Sequence, residues 1–461
     1  MSEITKPILL NETGIRMAAA LEAIALNGAG QASDVQNWKA VQNLVRAGFG
    51  GKAFPVGTQF IVEKESSLTA TMGVHTGITG VSVVEETFLA AEGIVGSGIH
   101  EFKFDGAAWI YHGDPVRLSD FGLTVTGTAA DGDEIIVTEA FDKVIWDVVD
   151  HRTVVDPVTG ESKPGMVLLM HHVFNSVPVD ATEALVYCPN GLAAGAYCFT
   201  VKNQAWYTAD NDKTYYFTLT QAVPEGGQLV LAITYNAAME GKSIKSYASA
   251  TSADVIETAT LSATAITGAT NLGNTDGQSE NVNHMHRAIM GSNNYKESAI
   301  RQWINSKAPK STWWTPTNVF DRPVSYTNVH GLLHGMDSDF LAVVGTVTVP
   351  CKTNNVFELP GWTLNTAYTV KDKFFLPSRD ELGYGSENVA EGSVFKLFDG
   401  VDNVQRIKYD IAAQTTARHW WHRSPNPPYA GNVRGTYAST GAVSSDRASV
   451  GNAAAAACII Y

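Results

Sequence analysis

The sequence predicts an α+β protein in which strands predominate, and three observations support this class. Short runs of β-branched and aromatic residues, separated by turn residues, recur along most of the 461-residue chain. Helical periodicity is confined to a few segments near the N-terminus and around residues 294–304. An apolar fraction of 44% and a charged fraction of 17% are typical of a folded protein, and the length predicts two or three domains.

Charge and composition disfavour several classes of protein. A net charge of −14 without any Lys/Arg cluster disfavours nucleic acid as a partner. Residues 1–7 lack the features of a secretory signal, and no apolar run is long enough to span a membrane. No dinucleotide-binding, phosphate-binding or hydrolase signature is present, so no cofactor is predicted. The few, scattered cysteines indicate folding in a reducing cytoplasm; they are Cys188, Cys198, Cys351 and Cys458.

Residues 1–53 predict two short amphipathic helices. In the second, Trp38, Val41 and Val45 share the inward face, a cap is expected at residue 33 or 34, and Gly48 follows the end. Helices this small cannot bury their own apolar faces. Two arrangements remain open, which are packing on sister chains around a symmetry axis and packing on the next domain of the same chain.

Residues 54–140 predict a small all-β module, with a hairpin turn at Asp105-Gly106. Residues 144–149 and 166–170 then predict two buried strands around the turn 156–160, and a second β-rich block extends over about 184–260. A helix capped by Asn294, short strands at 340–344 and 373–376, and long loops complete the chain.

Three sets of polar residues are candidates for chemistry, and each has a simpler interpretation. His284 and His286 have a spacing that can chelate a metal, but no acidic or cysteine ligand is close in sequence, so ordinary polar loop histidines are the favoured interpretation. The acidic pairs at 337/339 and 380/381 would suit a glycosidase, yet they are indistinguishable from solvated loop acids. The adjacent His171 and His172 predict a structural, hydrogen-bonded role.

The last part of the chain has an unusual composition. From Ser424 onward there is no Lys, Glu, Gln, Met or Trp. Chance depletion in a Ser/Ala/Gly-rich surface tail is one interpretation. Before this segment, Trp420, Trp421 and Arg423 predict a core element, with a sugar-stacking site as the alternative. Residues 453–461 predict a buried final strand.

Four stretches of the sequence resemble a known family. Residues 420–426, which read WWHRSPN, are followed about thirty residues later by small residues and an apolar strand. Residues 293–305, 373–379 and 144–170 resemble the first helix, an inner strand and the opening hairpin of the same family. The family comprises C-type-lectin-fold variable proteins from phages and prophages of gut bacteria, many of them targets of diversity-generating retroelements.

This resemblance implies a lectin-like domain over 141–461, with a β-rich insertion at about 181–275. In such systems a reverse transcriptase randomises adenines in Asn codons, which never yields the five residue types missing here. The implied scaffold of the binding site is Trp420, Trp421, Arg423, Ser424 and Pro425. The implied variable, ligand-binding positions are Pro428, Tyr429, Gly431, Gly435, Tyr437, Ser444, Ser445, Asp446, Arg447, Ser449, Val450 and Gly451. The sequence departs from the family at His422, near Tyr437 and at residues 453–456.

The resemblance further implies a function. We expect a non-catalytic phage tail fibre or receptor-binding protein that binds a host-surface protein or glycan. A homotrimer is expected, located in the virion tail and joined to other tail proteins through its N-terminal segment, with no cofactor, metal, nucleic acid or membrane. The alternatives are a tail polysaccharide depolymerase, a relative of formylglycine-generating oxidases, and a bacterial adhesin or lectin.

Overall fold

A computed structural model describes residues 33–34, 37–83, 98–187, 190–201, 213–231, 238–274, 291–353, 366–427 and 431–461. Strands dominate these residues, and the helices among them are few and short, which confirms the predicted β-rich α+β class. The first predicted N-terminal helix lies outside the described residues. Within the described ranges, no helix has the length and apolar character needed to cross a membrane.

The second predicted N-terminal helix is present as α1 (Trp38–Arg46), followed by a single turn, α2 (Gly50–Ala53). Trp38, Val41 and Val45 are buried, as predicted. All three belong to the largest hydrophobic core, which also contains many side chains from the C-terminal half. The helix therefore packs on the rest of its own chain, which is the second of the two arrangements considered for it.

The start of α1 differs from the prediction. Its cap is Asn37, whose side-chain oxygen accepts a hydrogen bond of 2.9 Å from the Ala40 amide. Residues 33–34, where the cap was predicted, instead form a short strand. At the other end the prediction is confirmed, because Gly48 follows the helix in the left-handed region, where a side chain is disfavoured.

A long antiparallel sheet organises the N-terminal half of the chain. Its longest strand, β8, pairs with β2 along most of its length, with β4 near its start and with β9 near its end. The Asp105-Gly106 hairpin between β4 and β5 and the 156–160 turn between β8 and β9 are confirmed. The strands are β1 (Ser33–Asp34), β2 (Gln59–Met72), β3 (Ile78–Val83), β4 (Ile99–Phe104), β5 (Trp109–Tyr111), β6 (Asp114–Val116), β7 (Leu123–Gly127), β8 (Glu134–Val155) and β9 (Ser162–Met170).

The predicted domain boundary at 140/141 lies inside β8, so no linker separates the two units. Val137 belongs to a small core with Phe102 and Leu123, whereas Val144 and Trp146 belong to the main core. One uninterrupted strand of 22 residues therefore passes through two hydrophobic cores.

The predicted β-rich insertion has a core of its own, which includes Tyr215, Phe217 and Leu231. A smaller cluster that contains Ala184 and Phe320 connects it with the C-terminal half. Its strands are β10 (Leu185–Tyr187), β11 (Asn190–Leu192), β12 (Gly195–Val201), β13 (Lys213–Leu219), β14 (Val223–Glu225), β15 (Gln228–Leu231), β16 (Ser243–Tyr247), β17 (Val255–Thr260) and β18 (Thr270–Asn274).

Two short helices follow the insertion, and each corrects a detail of the sequence analysis. Helix α3 (Ala299–Ile304) is capped by Ser298 rather than by Asn294. Residues 340–344, predicted as a strand, lie mostly in α4 (Ser338–Val343), which is capped by the side chain of Asp337. Phe340 and its apolar neighbours pack one helical face into the main core, and a run this short cannot distinguish a strand from a helix.

The remaining strands complete the central sheet. Strand β27 pairs with both β9 and β21, which gives a nine-stranded sheet, and its residues are all buried, as predicted for the final strand. These strands are β19 (Val347–Thr353), β20 (Thr366–Asp372), β21 (Phe374–Phe375), β22 (Lys408–Tyr409), β23 (Ala417–Arg418), β24 (Trp420–Pro425), β25 (Asn432–Thr436), β26 (Val443–Arg447) and β27 (Ala457–Ile460). Three short 3-10 helices lie at Leu118–Phe121, Lys396–Phe398 and Asn403–Arg406.

Candidate functional site

Strand β24 is the buried foundation of the candidate site. The indole rings of Trp420 and Trp421 on this strand are fully buried, and each donates one hydrogen bond to a distant carbonyl oxygen. Trp420 Nε1 lies 3.0 Å from the carbonyl oxygen of Arg406, and Trp421 Nε1 lies 2.9 Å from that of Val177. The prediction that the tryptophans belong to the core is therefore confirmed, and Ser424 and Pro425 are buried beside them.

The side chain of Arg423, on the same strand, is fully buried, and most of its N–H groups donate hydrogen bonds. Its Nη1 lies 2.6 Å from a carboxylate oxygen of Glu381 and 2.8 Å from the carbonyl oxygen of Leu376. Its Nε lies 2.9 Å from the carbonyl oxygen of Pro350, and its Nη2 donates to the carbonyl oxygen of Glu391. One guanidinium thus ties four residues between positions 350 and 391 to the start of the predicted variable region.

Further ionisable groups surround this ion pair. Glu391 is fully buried, and burial raises the pKa of its carboxyl group despite Arg423 and Lys352 nearby. The ammonium of Lys352 lies 3.6 Å from this carboxylate. Burial also raises the pKa of the Cys351 thiol to about 12, so this cysteine is a packed, unreactive side chain. The cluster is suited to holding loops in place rather than to reacting.

Three of the four acidic residues considered for catalysis, Asp337, Asp380 and Glu381, have structural contacts through their carboxylates. Glu381 binds Arg423, and an oxygen of Asp380 accepts a hydrogen bond of 2.6 Å from the Glu391 amide. The side chain of Asp337 accepts bonds from the amides of residues 339 and 340 at the start of α4. Each of these carboxylates therefore has a role in the fold.

Exposure increases steadily from β24 across the three-stranded sheet that it forms with β25 and β26. All residues of β24 are buried, those of β25 are either buried or half-buried, and those of β26 are half-buried or exposed. The edge strand carries Ser444, Ser445, Asp446 and Arg447, of which Arg447 is the exposed one. The sheet therefore presents its outermost strand to solvent while its innermost strand is fixed in the core.

The turn that joins β25 and β26 carries an exposed aromatic residue. Tyr437 is 49% exposed, and its ring contacts that of His419 at 5.4 Å between centroids. The turn is closed by a hydrogen bond from the Gly441 amide to the Tyr437 carbonyl oxygen. Gly441 is required there, because a Cβ would lie only 1.8 Å from the carbonyl oxygen of Asn403.

The remaining predicted variable positions that the structure describes fall into two groups. Ser449 and Val450 are half-buried and Gly451 is exposed, in the turn that follows β26. Gly431 and Gly435 are buried, and a Cβ at Gly435 would lie 2.8 Å from the carbonyl oxygen of Trp420. Gly435 therefore does not fit the expectation of an exposed variable position, because its neighbours leave no room for a side chain.

Some predicted site residues cannot be placed. Pro428 and Tyr429 lie outside the described residues, as do His284 and His286, the candidate metal ligands. Among the residues that the structure describes, no group of three or more His, Cys, Asp or Glu side chains is arranged to hold a metal ion.

The structure adds polar residues that the sequence analysis did not identify. Arg434, on β25, forms a two-point ion pair with Glu387, and its Nε lies 3.0 Å from one carboxylate oxygen. Arg379 lies 3.9 Å from the same carboxylate. The Tyr384 hydroxyl and His422 Nε2 both form hydrogen bonds with the Thr436 hydroxyl. No local pattern reveals these contacts, because the partners are separated by up to 52 residues in sequence.

Comparison with known proteins gives one match and no named function. No curated protein and no solved structure matches the chain. Residues 258–460, somewhat less than half of the chain, match the family model described as Domain of unknown function (DUF6273). The matched segment contains β24, β25, β26 and β27, so the chain is similar to this family in the part that forms the candidate site.

Proposed function

We propose that the protein is a phage tail fibre or receptor-binding protein that binds a host-surface ligand. The binding face would consist of β26, the Tyr437 turn and residues 449–451, on a C-type-lectin-like domain. One observation carries the proposal. The five residue types that adenine mutagenesis of Asn codons cannot produce are absent from Ser424 onward, and this segment includes an exposed sheet edge.

The connectivity of the C-terminal half supports the lectin-like class. The hairpin of β8 and β9 opens this half, and the last strand returns to pair with β9. A short helix, α3, packs on the same core, as the family resemblance implies for the first helix. The loops that lie between these elements support the sheet of β24, β25 and β26.

The physical arrangement suits a surface that must tolerate change. Substitutions on an exposed edge strand leave the core intact, whereas β24 cannot change without losing buried contacts. Tyr437 and Arg447 are among the residue types that contribute most energy to recognition, and both are exposed. If the protein is a homotrimer, three such faces would add avidity to weak individual contacts.

A genomic test addresses the origin of the variable segment. Sequencing around the gene should reveal a near-copy of its 3′ end that differs at adenines, beside a reverse transcriptase gene. The absence of both would refute the diversification hypothesis. The trimer has a separate test, since the mass of the full chain in solution should correspond to three copies, and a monomer would refute it.

A mutational test addresses binding. Tyr437→Ala and Arg447→Ala should each weaken adsorption to host cells by about tenfold, because each removes roughly 1–2 kcal/mol of contact energy. Stability should change by less than about 0.5 kcal/mol, as expected for exposed positions. Tyr409→Ala is the matched control, since Tyr409 is 40% exposed on a different strand. Equal adsorption by all variants would contradict the assignment of the face.

A further inference from the structure

A cavity of about 370 Å³ lies between the N-terminal sheet and the C-terminal half. Strands β2 and β8 form one side, and the segments 174–177 and 326–332 form the other. Its volume falls within the range of roughly 300–1,000 Å³ that is typical of small-molecule sites. None of the predicted binding positions lines it.

Aromatic side chains form the floor of the cavity. Phe174 is half-buried, and its ring meets that of Trp303 edge-on at 5.8 Å between centroids. Tyr326 contacts Trp303 in the same manner at 5.7 Å. The polar atoms of the two larger rings are already used, because Trp303 Nε1 donates to the carbonyl oxygen of His330 and the Tyr326 hydroxyl donates to that of Pro178. Trp303 and Tyr326 are otherwise buried, so the apolar surface open to a ligand is that of Phe174 and of Val329, which is 43% exposed.

The rim of the cavity is polar, and its exposed charged residue is Asp142. Lys64 and Asp142 face each other across β2 and β8, and Glu65 follows on the first of these strands. Asp142 and Asn175 are both exposed. The Lys64 ammonium donates to a backbone carbonyl oxygen, and burial lowers its pKa to about 8. Glu65 is buried, so Asp142 provides the exposed carboxylate of the rim, which favours ligands that donate hydrogen bonds and disfavours anions.

The same cavity adjoins the end of the predicted variable segment. The Val177 amide donates to the carbonyl oxygen of Asn452 at 2.8 Å, and Gly451 packs against Ser176. Ser176 itself has a φ of 61°, a left-handed conformation that is unfavourable for a residue with a side chain. The chain therefore holds a strained residue in the segment that separates the cavity from the exposed face.

We propose that this cavity binds a single neutral pyranose ring. The apolar face of the sugar would lie against Phe174, whose ring is supported by Trp303, and its hydroxyl groups would donate to Asp142 and to the side-chain oxygen of Asn175. This site is separate from the variable face, and it stands or falls independently of the proposed receptor-binding function.

Ligand-observed saturation-transfer NMR on the full chain tests the proposal. The probes are the methyl pyranosides of glucose, galactose and mannose, N-acetylglucosamine, and methyl glucuronoside as an anionic counterpart. At least one neutral probe should bind, and the glucuronoside should bind about tenfold more weakly than the glucoside, because its carboxylate would lie close to that of Asp142. The absence of binding by every neutral probe would overturn the proposal.

Two variants locate the binding within the cavity. Asp142→Asn should weaken the binding of the neutral probe by about tenfold, because a charge-assisted hydrogen bond becomes a neutral one. Ser66→Phe should abolish it by filling the cavity. Asp254→Asn and Ser119→Phe are matched controls at exposed positions elsewhere, and they should bind normally. Undiminished binding by both cavity variants would place the sugar elsewhere and refute the assignment. Loss of binding with unchanged host adsorption would separate this site from the variable face.

Discussion

Replacement of Arg423 by methionine should destabilise the protein more than almost any other single substitution. The change keeps most of the apolar volume but removes the partner of Glu381, which is itself buried. A buried ion pair that loses one member typically costs about 3–5 kcal/mol, because the other charge is left uncompensated. Three carbonyl oxygens also lose their donor. Against a total stability of roughly 5–15 kcal/mol for a domain, this loss is severe.

Urea unfolding followed by tryptophan fluorescence measures this effect, since Trp420 and Trp421 are buried next to the ion pair. The double variant Arg423→Met/Glu381→Met should be less destabilised than the sum of the two single variants, by about 1–4 kcal/mol. Arg418→Met is the matched control, because Arg418 is partly exposed and pairs with Asp410 at 3.0 Å. It should cost less than about 1 kcal/mol.

Two results would refute this reasoning about Arg423. One is a loss below about 1 kcal/mol in the Arg423→Met variant, which would indicate that its buried contacts contribute little net stability. The other is strict additivity in the double variant, which would show that Arg423 and Glu381 are not energetically coupled.

Three further predictions concern the same region and the cavity. Gly435→Ala should lower the free energy of unfolding by about 1–3 kcal/mol in thermal or urea unfolding, because the new Cβ would clash with the Trp420 carbonyl oxygen. Ser444→Ala on β26 is the control and should leave stability nearly unchanged. Equal effects of the two substitutions would contradict the increase in exposure from β24 to β26. Burial, reinforced by nearby arginines, lowers the pKa of His422 well below 6.5 in the folded state. The unfolded chain therefore binds a proton that the folded chain does not as pH falls below about 6.5, and stability is lost on the acid side. His422→Leu should reduce the fall in Tm between about pH 7.5 and about pH 5.5. It should not abolish that fall, because burial also lowers the pKa values of His151, His172 and His419. An unchanged fall in Tm would exclude this role for His422. Ser176→Gly should raise stability by up to about 1 kcal/mol, because glycine accepts a positive φ without strain, and a lower Tm would show that the Ser176 side chain stabilises the loop.

Local sequence features predicted the elements whose structure is decided locally. The Asp105-Gly106 turn, the hairpin around 156–160 and the buried pair Trp420 and Trp421 depend on neighbouring residues or on side-chain size alone, and all are confirmed. The strand assigned to residues 340–344 was wrong, because Asp337 caps a helix there and five apolar residues fit either structure.

Features that depend on distant residues could not be predicted. The partners of Arg423 lie up to 73 residues away, so its four-way contact is invisible in the sequence. The burial of Gly435 depends on its pairing with Trp421 and Ser444, which fixes its position within the sheet. The family resemblance implies that Gly435 and Ser444 are both variable positions, although Gly435 has no room for a side chain.

The continuity of β8 has a mechanical consequence. Its 22 residues extend over about 70 Å at ~3.3 Å per residue. Tension applied to the N-terminal module is transmitted along β8 to β9, which pairs with β8 and also with β27. Because β2 and β9 lie antiparallel beside it, such a load shears many backbone hydrogen bonds at once instead of opening them one by one. The two cores therefore move together, and tension at one end is conveyed to the other without a hinge.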